Sequence, residues 1–206
     1  RATRGWGSRW RTAVRWGALS PRGLPPWRRA PGLRLIFRQT HSQIVGRALM
    51  ERSLDVAITA GGFTERLLSR QVLGEGGYAC LVDPASLTDD QQGLSLEAFV
   101  AREHLLVSSG GFIGITDEGL AGLGLRRRVS ASTTHFAALP FLLKGSQAVA
   151  TIPNHAAKAI AALSGLSLLP CPLALPRYPI ELGWRTHAQR DPAVDKVREA
   201  IVVTFN

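Results

Sequence analysis

Aspartate, glutamate and lysine are all absent from the first 31 positions of this 206-residue chain, although 15 acidic residues follow later. That gap decides how the net charge of +10 is read. Residues 1–31 hold eight arginines, so most of the excess belongs to a terminal arm; the rest of the chain, with 17 basic against 15 acidic residues, is close to neutral. The basicity therefore belongs to the terminal arm and not to the folded body. Cysteine is scarce as well. Cys80 and Cys171 stand 91 positions apart with no metal-ligand spacing around either, which reads as two reduced, buried thiols in a cytoplasmic protein. No apolar run approaches the ~18 residues that span a bilayer. Thr12 to Leu19, the one apolar candidate for an export signal, is interrupted by Arg15 and Gly17.

Motifs that announce catalysis are missing too. There is no Gly-x-Ser-x-Gly elbow, no Gly-x-x-x-x-Gly-Lys phosphate loop, and no Gly-x-Gly-x-x-Gly in a strand–helix–strand setting. The histidines, His41, His104, His135, His155 and His187, are scattered without zinc-site spacing. The expectation is a protein that is not an enzyme and uses no metal or cofactor.

What stands at the start is Trp6, Trp10, Trp16 and Trp27 among the arginines, with four glycines, four prolines and no lasting helical or strand period. Such a segment is expected to be a poorly ordered or non-native arm, of the kind a GC-rich gene yields in a shifted reading frame. Arginines alternating with tryptophans also suit single-stranded nucleic acid or an anionic membrane surface.

From Gly32 onward the pattern is regular α/β. Leu33 to Arg38 reads as a strand. Ile44, Val45, Ala48 and Leu49 share one face of a helix that feeds a buried strand, Val56-Ala57-Ile58, stopped by Gly61-Gly62. Arg66 to Leu73 and Gly77 to Val82 read as strands separated by a hairpin-length break, Gly74-Glu75-Gly76. Ser95 caps a short helix, Leu96 to Arg102. His104 to Ser108 is a strand, followed by a helix from Thr116 or Asp117 to Leu123 and a strand from Arg126 to Ser132, whose Arg126-Arg127-Arg128 entry reads as solvated surface. Phe136 to Leu143 is an apolar helix, Val149 to Ile152 a buried strand, and Asn154 caps a helix reaching Ala162. Leu166 to Leu169 and Ile180 to Arg185 are strands. Asp191 and Pro192 start a last helix, Ala193 to Val203.

Hydroxyls gather where strands stop: Thr59 and Ala60, Ser108 and Ser109, then Thr133, Thr134 and His135 before Phe136. In open α/β sheets, ligands sit beyond the carboxyl ends of strands, and helix starts offer free N–H groups to a small carboxylate. His135 supplies a hydrogen bond or a charge to such an anion.

Several strings in order resemble the effector-binding domain of LysR-type transcriptional regulators: Leu49 to Ala60, Leu94 to Phe99 before His104 to Ser108, Thr134-His135-Phe136, Ala148 to Pro153, and Leu182-Gly183-Trp184-Arg185 followed by Arg190-Asp191-Pro192. The resemblance covers residues 33–206. It implies an α/β, two-lobed type 2 periplasmic-binding-protein-like fold, two Rossmann-like subdomains joined by crossover strands. Residues 32–105 and 186–206 would form lobe I and 106–185 lobe II, after an Arg/Trp/Pro/Gly-rich arm at 1–31. It further implies a cytoplasmic sensor whose small effector, an aromatic carboxylate by the Thr-His-Phe string, is lined by Thr59, Ala60, Ser108, Ser109, Thr134, His135 and Phe136. The full-length regulator would be a homodimer or tetramer, reaching DNA only through a helix-turn-helix domain outside this chain and touching no membrane. The alternatives are a solute-binding protein of a transporter, which shares the fold, and nucleic-acid binding through the basic N-terminal arm.

Overall fold

The computed structural model describes residues 10–14, 35–38, 42–88, 93–108, 111–187 and 191–205. In chain order the elements are β1 (Trp10–Val14), β2 (Leu35–Phe37), α1 (Ser42–Met50), β3 (Val56–Thr59), β4 (Leu68–Gly76), β5 (Tyr78–Val82), α2 (Leu96–Ala101), β6 (Glu103–Val107), α3 (Ile115–Ala121), β7 (Arg128–Thr133), α4 (Leu139–Leu143), β8 (Val149–Pro153), α5 (Asn154–Ser164), β9 (Ser167–Pro170), β10 (Tyr178–Arg185) and α6 (Pro192–Phe205). They fall into two compact units, Arg1–Glu75 with Pro179–Asn206, and Gly76–Tyr178.

The first unit is built on a sheet of order β2-β1-β3-β10-β4. All four residues of β3 are buried, as a continuous apolar run between two sheet neighbours requires. Strand β1 runs parallel to both β2 and β3, with Thr12 in register with Val56, and β10 runs antiparallel to β3. Val45 and Leu49 of α1, both fully buried, pack with Leu54, Ala57 and Phe63; burying each such aliphatic side chain is worth roughly 1.5–3 kcal/mol. Gly183 sits under the Phe63 ring, which occupies the place a β-carbon would take. Arg185 fastens α1 to the sheet: its Nη1 donates to Leu49 O at 2.9 Å and Leu54 O at 3.0 Å, and its Nη2 lies 3.7 Å from Asp55. Helix α6 buries Val194, Val197 and Ile201, and its Arg198 stacks 3.6 Å above the Trp184 ring.

The second unit carries the sheet β7-β6-β8-β5-β9. Strand β6 is parallel to β7 and β8, whereas β5 is antiparallel to β8 and β9. Both faces are covered. Ala79 and Leu81 of β5 join Leu105, Leu139, Leu143 and Ile152 in one cluster, while Cys80 and Val82, pointing the other way, join Phe99, Leu120 and Val149 in a second.

Four readings of the sequence change here. Strand β4 continues through Gly74, Glu75 and Gly76 with no turn, and β5 pairs in the other sheet, so the expected hairpin does not form. Because β5 is bonded between β8 and β9, the units divide after Glu75 and after Tyr178, not at 105/106 and 185/186. The apolar segment after His135 is a 3-10 turn, Phe136–Ala138, and then the five-residue α4, with Pro140 in its first turn. Finally, Trp10–Val14 forms a strand inside a stretch where none was expected; ladder bonds are made by backbone, and Trp, Thr and Val all favour strands. The rest of the arm reading lies outside the described residues.

Candidate functional site

In the first unit the strand end singled out by the sequence is Thr59, only 6% exposed, followed by half-buried Ala60. Gly61 and Gly62 take φ values of +71° and +96°, a left-handed turn that glycine adopts without strain and that ends β3. Directly opposite Thr59 in the ladder is Glu181 of β10. Its carboxylate is buried, yet among the described residues Oε2 meets no hydrogen-bond partner, and Oε1 is 3.9 Å from Arg70 Nη1. Sequence reasoning passed over Glu181. The signal was there: a single acid between Ile180 and Leu182 in a strand that sits inside the sheet.

In the second unit the carboxyl ends of β6 and β7 adjoin, with Val107 in register with Thr133. The Ser108 N–H donates to Thr133 O at 2.9 Å, and the His135 N–H donates to Thr133 Oγ1 at 3.2 Å. Ser108 is half-buried, and Thr134 and His135 are exposed, so three of the expected residues are brought to one edge. Phe136 differs: it is 6% exposed and packs with Leu105, Leu139 and Leu143, as part of the core and not as an open ring face. Ser109 lies outside the described residues. The helix start after His135 is too short to develop the dipole of a longer helix, so any anion held here depends on the hydroxyls, the imidazole and individual N–H groups.

A second polar group lies deeper. Arg127, read as surface, is 1% exposed in its side chain and grips Asp117 through Nε–Oδ1 at 2.9 Å and Nη2–Oδ2 at 2.6 Å. Burial opposes charge on Asp117, but the Arg127 guanidinium and the Gly114 N–H hold its carboxyl below the usual range. His104 is fully buried, with Nε2 2.9 Å from Phe99 O and Nδ1 3.4 Å from Arg127 Nη1. Donation from Nε2 and acceptance at Nδ1 define the neutral imidazole. Burial, reinforced by the Arg127 charge, pushes its pKa down to about 4. The two thiols, remote in sequence, also meet in one apolar cluster, and their mutual interaction brings Cys171 down to about 7 and pushes Cys80 up.

Residues 24–205 match the family described as LysR substrate binding domain. The chain belongs to that family. Among the similar proteins, the transcriptional activator NahR of Pseudomonas putida is 27% identical to this LysR-type domain over 183 residues, 85% of the chain and 59% of NahR. NagR of Ralstonia is 31% identical over 114 residues, 55% of the chain and 38% of NagR. The chain thus spans about three-fifths or less of the length of these relatives. Among solved structures, the regulatory domain of MexT, a transcriptional activator in Pseudomonas aeruginosa, superposes with a TM-score of 0.81 at 27% identity, covering 94% of this chain and 98% of that one. The OxyR regulatory domain, at 15% identity and a TM-score of 0.68, shares the fold. That fold is the two-lobed, periplasmic-binding-protein-like fold of LysR effector-binding domains. Among the described residues, no helix is long and apolar enough to cross a membrane.

Proposed function

We propose that this LysR-type domain senses a small carboxylate, aromatic by preference, and that its occupancy controls transcription through a DNA-binding domain carried elsewhere in the full-length protein. Each unit ends strands in groups suited to such an effector: Thr59 and Ala60 in the first unit, and Ser108, Thr134 and His135 in the second. Phe136 supports these residues from within the core. The observation that carries the reading is the junction of β6 and β7, where one hydrogen bond, Ser108 N–H to Thr133 O, gathers two hydroxyls and an imidazole beyond parallel strands. The role is binding, not catalysis. The relatives named as transcriptional activators support a regulator over a transporter component. Assembly as a homodimer or tetramer and a cytoplasmic location belong to the same proposal.

Calorimetric titration of the chain with aromatic and aliphatic carboxylates tests it. Saturable binding is expected for at least one aromatic acid, weakened about tenfold or more in His135→Ala. A folded sample that binds no member of the panel would remove the reading.

A further inference from the structure

A carboxylate oxygen taken out of water needs a donor, and Glu181 Oε2 has none among the described residues. The side chain is 8% exposed. Arg70 does not satisfy it: that guanidinium is 59% exposed, stands 3.9 Å from the other oxygen, and already donates to Phe63 O at 3.0 Å. Around Oε2 lies the end of β3. Thr59 is the register partner of Glu181, and a β-carbon on Gly61 would sit 3.9 Å from Oε2, beside the Pro179 ring. Ile180 and Leu182 on either side are buried aliphatics, and replacing a buried ion by an apolar side chain of similar volume is commonly neutral or stabilising.

We propose that Glu181, with Thr59 beside it, recognises a hydrogen-bond donor on the effector, a hydroxyl or an amine. The inference rests on the effector-binding reading and narrows it. The molecule held at the end of β3 is a hydroxy- or amino-substituted acid, and its donor, not its carboxylate, faces Glu181; a carboxylate there would meet like charge. Glu181 then acts as a specificity-determining residue, because a site built around an acceptor rejects the analogue that lacks the donor.

The test is calorimetry on the whole chain with matched probes: benzoate against the three hydroxybenzoates and three aminobenzoates, and propionate against lactate. At least one substituted probe is expected to bind about tenfold or more tightly than its parent. Glu181→Leu should erase that preference, bringing the ratio of the two affinities to about one, and Glu181→Gln, which keeps an acceptor without the charge, should retain part of it. Equal affinity for parent and substituted probes in the unaltered chain overturns the inference and leaves the effector reading standing. So does a preference that survives in Glu181→Leu. Silence across every probe overturns both. Where Glu181→Leu does not fold, the near-isosteric Glu181→Gln decides the matter: an undiminished preference in that variant overturns the inference.

Discussion

His104 and Glu181 are both buried polar residues, and they differ in what surrounds them. Both ring nitrogens of His104 have partners, Phe99 O and Arg127, so its place is structural. Its pKa, about 4, lies below the 6.5 of the free side chain. Below pH 6.5 the unfolded chain therefore takes up a proton that the folded chain refuses until about pH 4. Stability from this residue is complete above pH 6.5 and falls as pH drops through that window, by up to about 3 kcal/mol. Urea midpoints measured at pH 7 and pH 5 should diverge for the natural chain and converge for His104→Gln; an equal acid loss in both would assign the effect elsewhere. Glu181 Oε2 lacks such a partner among the described residues, which is what marks it as a candidate site. Neither distinction is readable from sequence, because partners 5, 23 or 122 positions away are set only by sheet pairing. Thr59 and Ser108 were legible because a hydroxyl just after a buried apolar run is a local signal.

Elements show the same division between local and distant causes. Helix α6, capped by Asp191 through the Ala193 N–H at 3.0 Å, and α2, capped by Ser95 through the Ala98 N–H at 3.1 Å, begin where their capping residues place them. The Gly74 to Gly76 break misled because glycine serves an extended strand as well as a turn, and which of the two it serves depends on the sheet that β4 joins. Phe136 misled in a related way: an aromatic after a strand end reads as a ring for stacking until a core closes over it. Arg185 carries a prediction at this scale. Its guanidinium ties two carbonyls at the end of α1 and the Asp55 carboxylate to β10, and it is only 20% exposed. Arg185→Ala leaves these acceptors without their donor and is expected to cost about 2–4 kcal/mol by denaturant unfolding. Arg185→Lys should recover a minor part, since an ammonium cannot reproduce the planar fork. A loss under about 0.5 kcal/mol would show the contact to be incidental.

For the molecule as a whole, α/β class and two-part organisation were legible from strands alternating with helices. The boundaries were not, because they turn on β5 leaving β4 for β8 and β9. The second unit is one uninterrupted stretch, Gly76–Tyr178, whose ends meet through the Tyr178 hydroxyl and Gly77 O at 3.3 Å and the edge-on packing of Tyr78 and Tyr178. Expressed alone, residues 76–178 should show a single cooperative thermal transition with near-ultraviolet dichroism from Tyr78 and Tyr178; a broad, non-cooperative melt would show that this unit leans on the other. The first unit is in two pieces, and β10, which its sheet places between β3 and β4, arrives only after the whole second unit has been made. The unit begun first is therefore the last to be completed: one edge of its earlier strands has no partner until about a hundred further residues have been synthesised. During that interval the nascent chain exposes the open side of β3 to chaperones and to other chains, a hazard that ends when β10 slides in beside it.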